Sequence, residues 1–245
     1  MRKILVISII LSTVALAQND GLVKTYYPSG ALETEGNYAN GVRDGLWTFW
    51  YEGEVYQDYG DDGEPNTQDE GEGNSEWDST ETVLLDLDGD TFFDPPKKQM
   101  EGSYSLGNRE GLWTTWYLNS MRKEESNYTS GKLSGTIIRW YENGNKSEDG
   151  VYETGKQNGI WIWYYKTGIK KEQTRFVDGQ QDGLWLQWFT DGAKKSERKF
   201  TNGERDSLWT SWYENGNKKF QATYANGKLN GSWTSWYENG IIKEK

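Results

Sequence analysis

The sequence predicts an all-β fold, an elongated single-layer antiparallel meander of about seven 24-residue β-hairpin repeats. Three features carry that expectation. A Gly-x-Trp opening places Trp113, Trp161, Trp185, Trp209 and Trp233 on a 24-residue grid, with Ile137 filling the missing step. Trp47 stands 66 residues before Trp113, which is one period of 24 plus an insertion of 42. A glycine or a turn pair interrupts the chain every eight to twelve residues, too often for helices. Finally, of 14 tryptophans only Trp77 lies outside the repeated stretch, so aromatic burial replaces an aliphatic core.

In chain order, residues 1–17 read as a secretory signal. Met1-Arg-Lys3 is a basic start, Ile4 to Leu16 is mostly apolar, and Ala15-Leu-Ala17 is a small-x-small cleavage site. The mature chain is therefore expected to be exported, to the periplasm, the cell surface or the medium. Residues 18–53 hold a short leader to Lys24, a half unit ending at Tyr27-Pro-Ser-Gly30, and the first complete repeat. Residues 54–95 are an acidic insertion with 15 Asp and Glu and no Lys or Arg; with the whole chain at −11, the remainder carries −11 + 15 = +4. Its composition is too polar to offset ordering entropy, and a disordered segment is expected, with a small hairpin around Asp88-Gly89. Residues 96–245 carry repeats two to seven and a terminal half repeat.

Within a repeat the pattern is two strands and two turns. The Asn143-Gly144, Asn215-Gly216 and Asn239-Gly240 pairs suit two-residue type I′ hairpins. The Gly131-x-x-x-Gly135 type of segment reads as a longer return, with Ser207 breaking the series. Strand alternation puts Trp233 and Trp236 on opposite faces, so each face carries an aromatic ladder. The ladder residues are Trp47, Trp50, Trp113, Trp116, Trp140, Trp161, Trp185, Trp188, Trp209, Trp212, Trp233 and Trp236. Across the Asn-Gly turn, Tyr213 is expected to face Lys218, with Tyr165–Lys170, Phe189–Lys194 and Tyr117–Arg122 as its equivalents.

The chain has no cysteine and no histidine, which removes disulfides, thiolate chemistry and a Ser-His-Asp triad. No nucleophile–base pair stands out, and a non-enzymatic role is expected. A sequence pI near 4.7 on an exported chain argues against nucleic acid.

At Tyr-x-x-Gly, the basic strand after it, and Gly-x-Trp-x-x-Trp/Tyr-Tyr, the chain resembles the MORN-repeat family, in particular its bacterial variant repeat. The resemblance covers residues 26–53 and 96–245. It implies a meander of antiparallel hairpins, a protein-binding scaffold and, in some members, contact with acidic phospholipids. Many bacterial members are similar to the YwqK antitoxin-like group, which implies an antitoxin role.

Two candidate sites emerge from the residues themselves. Lys98, Arg122, Lys146, Lys170, Lys194 and Lys218 form a basic column with roughly 10 Å between neighbours, a comb for an anionic polymer, a lipid surface or an acidic protein segment. Asp86, Asp88, Asp90 and Asp94 resemble the front of a calcium loop, but Thr91 and Lys97 stand where the glycine and glutamate belong, leaving a weak calcium candidate and no other cofactor. The favoured function is an exported repeat scaffold for a protein or cell-envelope partner. A glycan- or acidic-lipid-binding module and an antitoxin component are the alternatives. No transmembrane segment is expected after signal cleavage.

Overall fold

A computed structural model describes residues 20–53 and 96–245, together with two short backbone strands between them. The signal segment, most of the acidic insertion and the calcium candidate Asp86, Asp88, Asp90 and Asp94 lie outside the described residues. Every described element is a strand. In order these are β1 Gly21–Tyr26, β2 Leu32–Ala39, β3 Val42–Trp50, β4 Val55–Gln57, β5 Thr82–Leu85, β6 Lys98–Ser105 and β7 Asn108–Trp116. There follow β8 Arg122–Thr129, β9 Lys132–Trp140, β10 Lys146–Glu153, β11 Lys156–Tyr164, β12 Lys170–Val177, β13 Gln180–Gln181 and β14 Gly183–Trp188. The last are β15 Lys194–Thr201, β16 Glu204–Trp212, β17 Lys218–Ala225, β18 Lys228–Trp236 and β19 Ile242–Glu244.

Seventeen of these strands form one open antiparallel sheet in which strands pair with their neighbours in sequence, except that β13 and β14 lie end to end and both pair with β12. The insertion is skipped: β3 pairs directly with β6, while β4 and β5 pair with each other in a separate two-stranded sheet. The ends of the insertion close tightly, because Tyr51 N donates to Lys97 O at 2.9 Å and buried Gly53 lies against Pro96. Thr82–Leu85 pairs with Val55–Gln57 at the start of the insertion, and the turn expected at Asp88-Gly89 lies outside the described residues. The leader is also part of the array. From Gly21 it pairs with β2, and Val23 opposite Gly36 takes the place that tryptophan holds in later units.

The two turns exchange the roles expected of them. In the Tyr213-to-Asn217 turn, Gly216 N donates to Tyr213 O at 3.0 Å and Tyr213 N to Asn217 O at 2.8 Å. Among its residues only Gly216 has a positive φ, 83°, so this is a three-residue loop with a G1 bulge, not type I′. The asparagine is selected by its side chain. Asn215 Oδ1 accepts from Asn217 N, and Asn215 Nδ2 donates to Glu238 O in the next repeat, 2.9 Å in each case. The type I′ turns are the other set, where both residues have positive φ: Asn40-Gly41, Leu106-Gly107, Ser130-Gly131, Thr154-Gly155, Asp178-Gly179, Asn202-Gly203 and Asn226-Gly227. The second glycine of each Gly-x-x-x-Gly lies inside the following strand. At Gly45-Leu46 two extra residues interrupt the pairing with β2, since Gly36 faces Trp47 and Asn37 faces Asp44. Glycine there supplies the left-handed backbone of a bulge.

A single-layer sheet buries tryptophan by folding it flat onto glycine. A Cβ on Gly36, Gly102 or Gly150 would stand 2.2, 2.2 or 2.3 Å from the ring of Trp47, Trp113 or Trp161. Each of these indoles donates Nε1–H to a strand carbonyl: Asn37 at 3.0 Å, Ser103 at 3.0 Å and Val151 at 3.1 Å. All three side chains are at most 1% exposed. Tyrosine edges wall them in, as at Tyr104–Trp113, where the centroids are 4.9 Å apart and the rings near-perpendicular.

Candidate binding surfaces

The two faces differ sharply. On the first, arginines lid the tryptophans: Arg43 lies 4.3 Å over Trp47, Arg109 4.2 Å over Trp113 and Arg205 4.9 Å over Trp209. Arg43 and Arg109 also donate to the phenols of Tyr104 and Tyr128. These lids were not anticipated from the sequence, because they stand four residues before the tryptophan across a bulge. Where Ile137 replaces tryptophan, Arg139 is clamped instead by Glu124 at 2.7 Å and Glu148 at 2.8 Å, which raise its pKa despite partial burial.

Phenols tie the repeats together. Tyr27, Tyr51, Tyr117, Tyr141, Tyr165 and Tyr213 each donate to a carbonyl one repeat on, at Trp50, Trp116, Trp140, Tyr164, Trp188 and Trp236, over 2.7–2.9 Å. Phe189 occupies this position in one repeat and has no hydroxyl to give.

On the opposite face lie the second tryptophan of each motif and the basic column. Trp50, Trp116, Trp140, Trp188, Trp212 and Trp236 are half-buried, as are Trp185 and Trp233 of the first series. The column is present, but its charge is answered locally. Lys98, Arg122, Lys146 and Lys194 pair with Glu101, Glu125, Asp149 and Glu197 at 2.6–3.1 Å. Lys170 and Lys218 donate to Gln173 and Gln221. The expected tyrosine–cation pairs are shifted by one residue. Lys123, Lys171, Lys195 and Lys219, not the members of the column, cover Tyr117, Tyr165, Phe189 and Tyr213 at 5.3–6.0 Å. The G1 bulge causes the shift, since it sets Trp212 opposite Lys218. Lys98, Lys194 and Lys218 reach across instead to Trp116, Trp212 and Trp236.

The same face carries a ridge that sequence reading passed over. Leu46, Leu112, Ile160 and Leu184 follow the bulge glycine and Leu208 follows Ser207 at the same position; the row is interrupted at Thr136 and Ser232, and each member is 50–56% exposed. The signal was available in the Gly-x-Trp motif itself: x is aliphatic in five repeats. Exposed aliphatic side chains thus recur along this face at one-repeat spacing.

With hairpins, bulge glycines and phenol bridges established, comparison by family is direct. The MORN repeat variant matches this chain. It does so at residues 19–40, 157–178, 205–226 and 229–245, in phase with the observed hairpins and starting before the half unit at Tyr27. Segments between these matches hold Ile137 and Phe189, described above, and Ser120, which stands with φ 63° where the equivalent turns carry glycine. A comparison with curated proteins returned no match. MORN repeats commonly mediate protein or membrane-lipid binding. No helix among the described residues is long and apolar enough to cross a membrane.

Proposed function

We propose that the chain is a non-enzymatic, exported repeat scaffold that engages a protein or cell-envelope partner through the aliphatic ridge. The observation that carries this reading is the half exposure of Leu46, Leu112, Ile160, Leu184 and Leu208 along one line of the sheet. Buried apolar anchors dominate the energetics of protein contacts, whereas locally paired surface charges contribute little. The basic column then steers and orients rather than binds. Its neutralisation by Glu101, Glu125, Asp149 and Glu197 disfavours an acidic-lipid module as the first choice. The antitoxin role implied by the bacterial resemblance would require a toxin partner at the same ridge.

The test compares the full chain with a Leu112→Asp, Ile160→Asp, Leu184→Asp variant in cross-linking capture from the native envelope. One partner captured by the parent and lost from the folded variant is expected. Equal capture by both refutes the ridge. Vesicles of phosphatidylcholine with and without phosphatidylglycerol form the second arm, and salt-sensitive binding that requires the anionic lipid would favour the lipid reading. Export predicts that the chain recovered from cells begins at Gln18.

A further inference from the structure

Several departures from the repeat around β14 to β17 converge on a groove. Thr174 stands where glycine lies under other tryptophans, with Trp161 as its partner across the strand and Trp185 next in line. Trp185 is not fully buried, and its Nε1 has no hydrogen-bond partner. The equivalent carbonyl, that of Arg175, accepts only from Asp182 N, at 2.9 Å, among the bonds of the described residues. Beyond it, the position held by Phe49 and Trp163 in two earlier repeats, and by Thr115 and Arg139 in the others, is occupied by Gln187 and Ser211. Here lies a groove of about 430 Å³ whose lining includes the rings of Phe189 and Tyr213 and the polar side chains of Gln187, Ser196 and Ser211. Ser196 is 1% exposed and donates to Gln187 Oε1 at 2.8 Å, while Gln187 Nε2 donates to Glu172.

The groove has two unmet demands. Arg198, which lines it, stacks 4.8 Å from Trp185 and 5.4 Å from Trp209. Among the described residues it makes no ion pair and no hydrogen bond, in contrast to Arg139 between its two glutamates. Burial lowers its pKa, against the pull of the nearby Glu172 carboxylate, which makes no ion pair with it. The second demand is at Trp212, also in the lining. Its carbonyl lacks the phenol that carbonyls at Trp50, Trp140 and Trp188 receive, because Phe189 replaces tyrosine.

We propose that this groove binds a carboxylated sugar, a hexuronate-type ring. The planar guanidinium of Arg198 matches a carboxylate as a fork. A ring hydroxyl takes the place of the missing phenol at Trp212, and the remaining hydroxyls meet Ser196, Gln187 and Ser211. The aromatic walls accept the apolar edge of the sugar ring. The volume lies in the range of small-ligand sites. Lys195 and Lys219, each held over an aromatic ring, add positive charge, while Glu214 and Glu238 in the lining disfavour a highly charged anion. One carboxylate on a polyhydroxylated body satisfies this set better than a phosphate. The inference goes beyond the scaffold reading, since the groove and the aliphatic ridge share no residue.

The test is calorimetric titration of the full chain with glucuronate and with a digalacturonate, beside glucose and inorganic phosphate at the same millimolar concentrations. Saturable binding of the uronates alone is expected. Arg198→Met, which keeps the stem over the tryptophans, should weaken it at least about tenfold, the loss of one charge-assisted hydrogen bond. Phe189→Tyr should weaken it too, while leaving the fold intact by circular dichroism, because the new phenol claims the Trp212 carbonyl. Arg43→Met, remote from the groove, should bind as the parent does. Failure of the folded parent to bind either uronate overturns the proposal. So does phosphate binding as tightly as glucuronate, glucose binding as well as the uronates, or unchanged affinity in both groove variants.

Discussion

Ser207 is the residue at which the cost of departing from the repeat is plainest. Bulge positions Gly45, Gly111 and Gly159 hold φ near 68–69°, and Ser207 is forced to φ 58° at the same place. A left-handed residue with a Cβ costs about 1–2 kcal/mol. The Asp206 carboxylate, which accepts from Ser207 N at 2.8 Å, offsets part of it. Ser207→Gly is therefore expected to raise stability by about 0.5–1 kcal/mol, read as a higher urea midpoint at unchanged slope; an unchanged or lower midpoint would show that the serine is not strained. Tyr164 gives a pH-dependent counterpart. Burial, followed by its hydrogen bond to Asp149, pushes its phenol to about 12 from 10.0. The folded state thus favours the protonated form, and the contribution is fully present below pH 10 and lost as pH rises through about 12. Tyr164→Phe should flatten the alkaline limb of a stability–pH curve over that window, and an unchanged limb would assign the fall to other groups.

At the scale of the hairpin, stability rests on an indole lying against a strand with no side chain beneath it. Gly150→Ala puts a Cβ 2.3 Å from Trp161, and the ring must tilt away, losing its bond to Val151 O. A loss of about 1–3 kcal/mol is expected, with a red-shifted tryptophan emission that reports exposure; Gly144→Ala, whose Cβ would meet nothing within 4 Å, should show the stability loss without the shift. These hairpins were legible in the sequence because period and alternation are properties of composition alone. The turn types were not. Asn143 and Asn215 resemble type I′ signals, yet they are chosen for bonds to Lys166 O and Glu238 O one repeat away. True type I′ turns carry Leu106, Ser130 and Thr154 as well as Asn40, Asn202 and Asn226 before glycine, so Asn-Gly occurs at both kinds of turn and does not tell them apart. That one-residue difference in loop length displaced every predicted cation–aromatic pair. The groove was hidden for another reason: it arises from what Phe189, Gln187 and Ser211 lack relative to their counterparts, and a gap acquires a position only once the strands are in register.

Across the whole sheet, each repeat touches only its neighbours, so stability is a sum of hairpins and joints, and opening begins at the weakest joint. At about 4.8 Å per strand, the sheet extends roughly 70–75 Å along the stacking direction, and small-angle scattering should return an elongated particle of that order. The sequence alone suggests that the array opens first at Ile137 and Ser207. The Ile137 unit, however, is 1% exposed at that side chain, and Arg139 bridges Glu124 and Glu148 across three adjacent strands. The joint between β14 and β16 has less to hold it. It lacks the Phe189 phenol, Trp185 Nε1 and Thr174 Oγ1 have no partners, and Ser207 lies just beyond. Hydrogen exchange should accordingly show amides of residues 183–201 exchanging before those of 136–153. Phe189→Tyr supplies the bridge to Trp212 and should slow exchange in the 183–212 stretch while leaving 136–153 unchanged. Raising the salt should act the other way round, loosening the Arg139 clamp more than the joint at β14 to β16, whose weakness is a missing phenol rather than a missing charge. If residues 136–153 exchange first at low salt, the ion pairs do not replace the missing tryptophan, and the weakest joint is where the sequence alone put it.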